Sequence, residues 1–193
     1  MKREGLSRET IVPFIADIFR RRGAEDYLGE PVSVSEHMLQ SAALAEKAAA
    51  GDELVAAALL HDIGHFTSEF GTYSPEDEED RHHDEAGAEV LAPFFPAVVT
   101  ECVRLHVAAK RFLCAVDPTY FSKLSPASVH TLSLQGGPMS DSEVAEFRQN
   151  PFHSEAVLVR RWDEGGKVPG MATRSFVEYE PLLQGVVDRY LGR

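Results

Sequence analysis

Two cysteines in 193 residues, Cys102 and Cys114, cannot build a disulfide framework. On one alanine-rich helical segment they read as small buried hydrophobes. Positive charge is also scarce: 19 Lys and Arg stand against 31 Asp and Glu, a formal net charge of -12. A field of that sign repels polyanions and excludes a nucleic-acid backbone as partner, so any phosphate-bearing ligand has to be small and locally met. The longest apolar runs, 54–60 and 90–99, fall far short of the roughly 20 residues of a membrane span, which argues against a membrane partner. Residues 1–5 lack the apolar region of a signal peptide, and the expected address is the cytoplasm. Nothing in the chain requires an obligate protein partner. Nor is there an internal repeat, a low-complexity tract or a linker, so 1–193 reads as a single domain. With 44% apolar residues, that domain can bury a sizeable core.

No segment alternates over the length of a half-buried strand, whereas helical periodicity recurs almost throughout. The expected fold class is therefore all-α. Ile11, Phe14, Ile15 and Ile18 make the apolar stripe of a first helix over 8–22, with Gly23 as a left-handed stop. Ser35 is expected to cap a helix over 36–50, and Asp52 one over 53–60. The body of this third helix is nearly continuous apolar, hence central, and it delivers His61, Asp62 and His65 at its end, where Gly64 terminates it. The stretch 67–81 is a loop carrying Gly71, Pro75 and the acidic run 76–80, which reads as a solvated face. Further helices are expected over 84–94 and 97–113, then from Ser125-Pro126, from Ser140 with Glu143, over 155–164 and from Ser175 with Glu178.

Eight histidines remain to be explained. His37, His61-Asp62, His83, His106 and Asp163 each fall on a separate helix or helix end, so packing can bring them to one point. Imidazole suits iron, zinc, copper and nickel, and a carboxylate can bridge two cations through its two oxygens. Asp62 beside His61 is the natural bridge, and the number of ligands makes a binuclear site the economical reading. A His-Asp pair at the end of an apolar helix is costly to bury without ionised partners or metal. His130 and His153 read as ordinary hydrogen-bonded residues, and of the adjacent His82 and His83 one is expected to face solvent.

The order His37, His61-Asp62-Ile63-Gly64, Asp163 resembles the HD-domain superfamily of metal-dependent phosphohydrolases. Three further stretches narrow the resemblance: Tyr27-Leu28-Gly29-Glu30, the run from His106 through Lys110 to Leu113, and the run from Leu124 through Ser128, Thr131 and Gln135 to Met139. Together these are similar to the HD-domain mixed-valent di-iron oxygenases that cleave organophosphonates, distant relatives of myo-inositol oxygenase. The similarity spans about three-quarters of the chain, from Asp26 to Lys167.

This resemblance implies an HD-type helical bundle holding two iron ions, one ferrous and one ferric, with O2 as co-substrate. One iron would be held by His37, His61, Asp62 and Asp163, the other by Asp62, His83 and His106. It implies that His65, Lys110, Ser128, Thr131 and Gln135 bind a small-molecule organophosphonate, that Tyr27 gates the open iron position, and that Glu30 meets the substrate's amino group. The implied reaction cleaves the carbon–phosphorus bond of a 1-hydroxy-2-aminoethylphosphonate or its trimethylammonium counterpart, giving phosphate with glycine or glycine betaine. Both amines stay open, since Tyr27, Phe70, Tyr73 and the acidic run 76–80 could together suit a trimethylammonium group. Two rival readings are a metal-dependent phosphohydrolase acting on a nucleotide or phosphate monoester, and a non-catalytic module that keeps the bundle for packing.

Overall fold

The computed structural model describes residues 5–27, 29–67 and 79–192. Among them it contains helices and turns and no strand; an isolated bridge joins Asp26 to Ser33. The helices are α1 (Ile11–Arg22), α2 (Val34–Lys47), α3 (Asp52–Leu60), α4 (Gly64–Thr67), α5 (His83–Leu91), α6 (Ala97–Val116), α7 (Pro126–Leu134), α8 (Asp141–Phe147), α9 (His153–Gly165) and α10 (Phe176–Leu191). A short 3-10 turn, Phe121–Lys123, precedes α7. No described helix is long and apolar enough to cross a membrane.

The apolar body of α3, Val55 to Leu60, is fully enclosed, with α2, α6, α9 and α10 packed around it. α6 serves two apolar clusters. Its Val99, Cys102 and Val103 join the main core with α1, α3 and α10, while Leu105, Ala109, Phe112 and Leu113 join a second cluster with Tyr120, Phe147 and Ala156. α6 also presents His106, Val107 and Lys110 to an interior cleft. Cys102 is buried and Cys114 partly so, and neither is bridged.

Local chemistry sets the helix starts. Ser33 and Ser140 form complete capping boxes with Glu36 and Glu143, each worth about 1 kcal/mol, and Ser125 accepts from the Ser128 N–H ahead of Pro126. The expected caps at Ser35 and Asp52 are displaced by two residues and one. Ser33 is extended and reaches the third amide, which Ser35, already inside α2, cannot do, and Asp52 occupies the first turn of α3 behind Gly51.

Two glycines act differently from the expectation. Gly23 has φ -61 and is not left-handed; an added Cβ there would lie 2.4 Å from the Phe19 carbonyl and 2.7 Å from Ser35 Cβ, so the position demands smallness. Gly64 does not end α3, which stops at Leu60, but opens α4. A Cβ on Gly64 would sit 1.7 Å from the His83 carbonyl oxygen, so the α4–α5 crossing requires bare backbone there. Most of the expected 67–81 loop, with Phe70, Tyr73 and residues 76–78, lies outside the described residues.

Gly64→Ala is therefore expected to cost about 3 kcal/mol of unfolding free energy, since backbone must shift to admit the methyl. Urea denaturation of the metal-free protein measures this, and an unchanged midpoint would refute the close approach.

Candidate active site

All six side chains expected to hold metal come together: Asp62, His83, His106 and Asp163 line the cleft, and His37 and His61 stand against Asp62 and Asp163 without lining it. His37 comes from α2, His61 and Asp62 from the turn after α3, His83 from the first residue of α5, His106 from α6 and Asp163 from α9, and every one is buried. His82, beside His83, has left-handed φ +50 and is exposed, which turns its neighbour inward.

Hydrogen bonds on the outer ring nitrogens fix the tautomers. His37 Nδ1 lies 2.8 Å from the Gly166 carbonyl oxygen, His61 Nδ1 2.8 Å from that of Ala58, and His106 Nδ1 2.6 Å from that of Val103. A carbonyl can only accept, so each Nδ1 carries hydrogen and each neutral ring turns a lone pair inward from Nε2. The lone pairs of His37 and His61 face one another, with Nε2 atoms 3.0 Å apart, and that of His106 faces His83 Nε2 at 3.1 Å, the His83 Nδ1 being buried without a hydrogen-bond partner. Two lone pairs at that distance repel unless a cation lies among them.

Asp62 stands between the pairs. Its Oδ2 is 3.5 and 3.4 Å from the Nε2 atoms of His37 and His61, and its Oδ1 is 3.4 Å from those of both His83 and His106. Asp163 flanks the first pair, with Oδ1 3.4 Å from His37 Nε2, while its Oδ2 accepts from Arg160. Asp62 Oδ2 and Asp163 Oδ1 are buried without any hydrogen-bond partner. The residues thus form two metal-binding groups, His37–His61–Asp62 and Asp62–His83–His106, that share one carboxylate.

The electrostatics favour positive charge here. Burial raises the Asp62 carboxyl, but His61, His106 and His37 outweigh it and hold the group well below the usual carboxylate range. Asp163 is likewise held low against burial, chiefly by Arg160 and His61. Burial opposes a charged His37, yet Asp163 and Asp62 lift it to about 9, so the field that suits a metal cation holds a proton in its absence.

Beside the metal groups, the cleft brings in all seven other side chains singled out in the sequence. The Tyr27 ring stacks on His37 with centroids 4.1 Å apart, and burial, then Asp62 and Asp163, push its phenol well above the ordinary value. His65 stacks on His83 at 4.1 Å with an unpartnered Nδ1; burial, then His83, keep it neutral. Lys110, 3% exposed, donates to Thr131 Oγ1 at 2.7 Å, and burial, reinforced by Arg160, brings its ammonium down to about 7. Ser128 and Thr131 are buried in the same wall with Gln135 beyond them. Glu30 is not free: it accepts from Ser125 Oγ, and Lys167 Nζ stands 3.3 Å from its Oε1.

Arg160 and Lys167 also line the cleft, and neither was singled out from the sequence. Arg160 is one turn before Asp163 on the same helix face, a spacing that could have flagged it. Lys167 follows Gly165-Gly166, and only the fold brings it to Ser128. The enclosed cavity at the centre of the cleft is small, about 30 Å³, and the space reaches about 420 Å³ only when the open mouth is counted.

Asp62→Ala removes the carboxylate common to both groups. The expected outcome is loss of paired metal, read as a fall in bound metal from two ions per chain to one or none. Two ions retained in the variant would refute the bridge.

Comparison with known proteins places this geometry. The HD domain matches residues 34–164. The chain is 57% identical over 187 residues to the [1-hydroxy-2-(trimethylamino)ethyl]phosphonate dioxygenase (glycine-betaine-forming) of Leisingera caerulea, covering 97% of this chain and 95% of that one. It is 47% identical over 165 residues to the hydroxymethylphosphonate dioxygenase of Gimesia maris, covering 85% and 82%. An uncharacterised protein of Acanthamoeba polyphaga mimivirus is 30% identical over 175 residues, covering 88% of this chain and 78% of its own. With an HD domain over most of its length and these two relatives matched nearly end to end, the chain belongs to the HD-domain phosphonate dioxygenases.

Proposed function

We propose that the protein oxidatively cleaves the carbon–phosphorus bond of 1-hydroxy-2-(trimethylamino)ethylphosphonate, releasing phosphate and glycine betaine with consumption of one O2. The observation that carries this reading is the juxtaposition of two inward-facing imidazole pairs on Asp62 with a wall of Lys110, Ser128 and Thr131 suited to an anionic headgroup. The dioxygenase names of both relatives favour it over a phosphohydrolase.

The metals we assign are two irons, one on His37, His61, Asp62 and Asp163, the other on Asp62, His83 and His106. Nitrogen and carboxylate donors suit iron, and when bound the mixed-valent pair supplies Lewis acidity and the electrons for O2 activation. The chain's own residues do the rest. Lys110 and the hydroxyls of Ser128 and Thr131 hold the phosphonate, with Gln135 and neutral His65 as further donors. Tyr27, kept protonated against His37, covers the first metal group and limits access of water to it.

The quaternary amine is favoured over the primary one by Glu30. Its Oε1 is already engaged by both Ser125 and Lys167, and a trimethylammonium, having no N–H to donate, needs only the carboxylate's negative charge and the Tyr27 face nearby. The ligand is thus a small organophosphonate, with no nucleic acid, membrane or obligate protein partner. Two unbridged cysteines fit a reducing compartment such as the cytoplasm.

The test is anaerobic loading with ferrous iron, then addition of O2 with the trimethylamino, amino and hydroxymethyl phosphonates in turn. Phosphate and glycine betaine should appear together, in step with O2 uptake. Phosphate released from a monoester with manganese and no oxygen would overturn the reading in favour of a hydrolase.

Lys110→Ala should raise the KM for phosphonate by roughly thirtyfold, corresponding to about 2 kcal/mol of lost ion pairing, with bound metal unchanged. Because the free ammonium loses its proton near pH 7 and a bound dianion restores it, binding at pH 8.5 should take up close to one proton. Affinity should then fall about tenfold per pH unit above 7. Calorimetry in buffers of different ionisation enthalpy reads the uptake, and its absence at pH 8.5 would show that Lys110 is not the group engaged.

A further inference from the structure

Lys167 extends from just beyond α9 to the start of α7. Its Nζ lies 2.7 Å from Ser128 Oγ, 3.3 Å from Glu30 Oε1, 3.5 Å from Ser125 Oγ and 3.6 Å from Glu164 Oε2. Two hydroxyls thus accept hydrogen bonds from the ammonium, and two carboxylates stand within ion-pair distance of it. The pair is largely withdrawn from water: the side chains of Lys167 and Glu30 are 10% and 8% exposed. Both line the cleft, and Lys167 reaches Ser128 in its wall. In this arrangement the charge of the second lysine of the cleft is already countered before an anion arrives.

A ligand carrying both charges changes that. Its phosphonate, arriving at Ser128, takes over the ammonium of Lys167, while its cationic nitrogen takes over the carboxylate of Glu30. Two opposite charges replace two opposite charges, and no buried ion is left alone. An anion without the cationic end cannot do this. To reach Lys167 it must strip Glu30 of its counter-ion in a mostly buried cleft, which weakens its binding.

Resting on the phosphonate reading above, we propose that the Glu30–Lys167 ion pair is a resident surrogate for a zwitterionic ligand and opens by exchange with it. Lys167 is thereby a phosphonate-binding residue, and the pair selects zwitterionic phosphonates over purely anionic ones. The selection works by penalising the wrong ligand as much as by attracting the right one.

The experiment is calorimetric binding, without oxygen, of 1-hydroxy-2-(trimethylamino)ethylphosphonate and hydroxymethylphosphonate to the iron-loaded protein. Wild type is compared with Glu30→Gln, Lys167→Met and Lys167→Arg, with thermal unfolding of each. Glu30→Gln should weaken the zwitterion about tenfold and strengthen hydroxymethylphosphonate about threefold, because Lys167 is then free for the anion. Lys167→Met should weaken both ligands about tenfold, with Lys167→Arg restoring part of each.

A residue that merely stiffens the cleft mouth would not make one ligand bind more tightly. Equal weakening of both ligands by Glu30→Gln, or unchanged binding of both by Lys167→Met, overturns the exchange. If wild type also converts the zwitterion to phosphate, the phosphonate reading survives that failure. If wild type binds neither phosphonate, the reading and the exchange fall together.

Discussion

One buried carboxylate organises the site. Asp62 is 2% exposed and ionised, and its two oxygens face separate pairs of imidazoles, three of which, His37, His61 and His106, are held through their outer nitrogens by backbone carbonyls. An arrangement of converging lone pairs around an anion is unfavourable on its own terms and becomes favourable around cations. The surrounding fold supplies the restraint that keeps these groups together. α3 is apolar enough to be held in the middle of the bundle, α2 and α9 bring His37 and Asp163 from either side, and the α4–α5 crossing fixes His83 opposite His106.

The charge balance of the whole chain and that of the cleft point in opposite directions. With a formal charge of -12 the surface field repels anions, yet Lys110, Arg160 and Lys167 are gathered inside. Each is counterbalanced in its own way. Arg160 is committed to Asp163 and Glu164, Lys167 to Glu30, and burial brings the ammonium of Lys110 down to about 7. The interior therefore does not depend on a strong fixed positive potential. It holds positive charge that a ligand can call on, which suits a small anion that has to enter through an acidic exterior.

Much of this was legible in the sequence, for identifiable reasons. The helical fold followed from periodicity, and the HD membership from the His-Asp pair with its spaced partners. The chemistry of six candidate ligands from five separate elements is recognisable because histidine and aspartate are rare at the ends of apolar segments. Boundaries were less legible: Ser33 and Ser35 are chemically alike, and only backbone conformation decides which one caps. The roles of Gly23 and Gly64 were misread because a glycine needed for contact looks the same in sequence as one needed for a turn. Lys167 escaped notice since its partners Glu30 and Ser128 are far away along the chain, and no local pattern encodes that meeting. The engagement of Glu30 was hidden for the same reason.

The rigidity of α6 has a further effect. His106 and Lys110 project from one unbroken helix, four residues or about 6 Å apart along its axis, and the helix is clamped by two apolar clusters. The spacing between the second metal group and the ammonium is thus a fixed gauge. A homologue with an extra carbon between its hydroxyl and its acid group would overshoot one mark or fall short of the other. Chain length in the ligand is measured against a backbone that does not stretch.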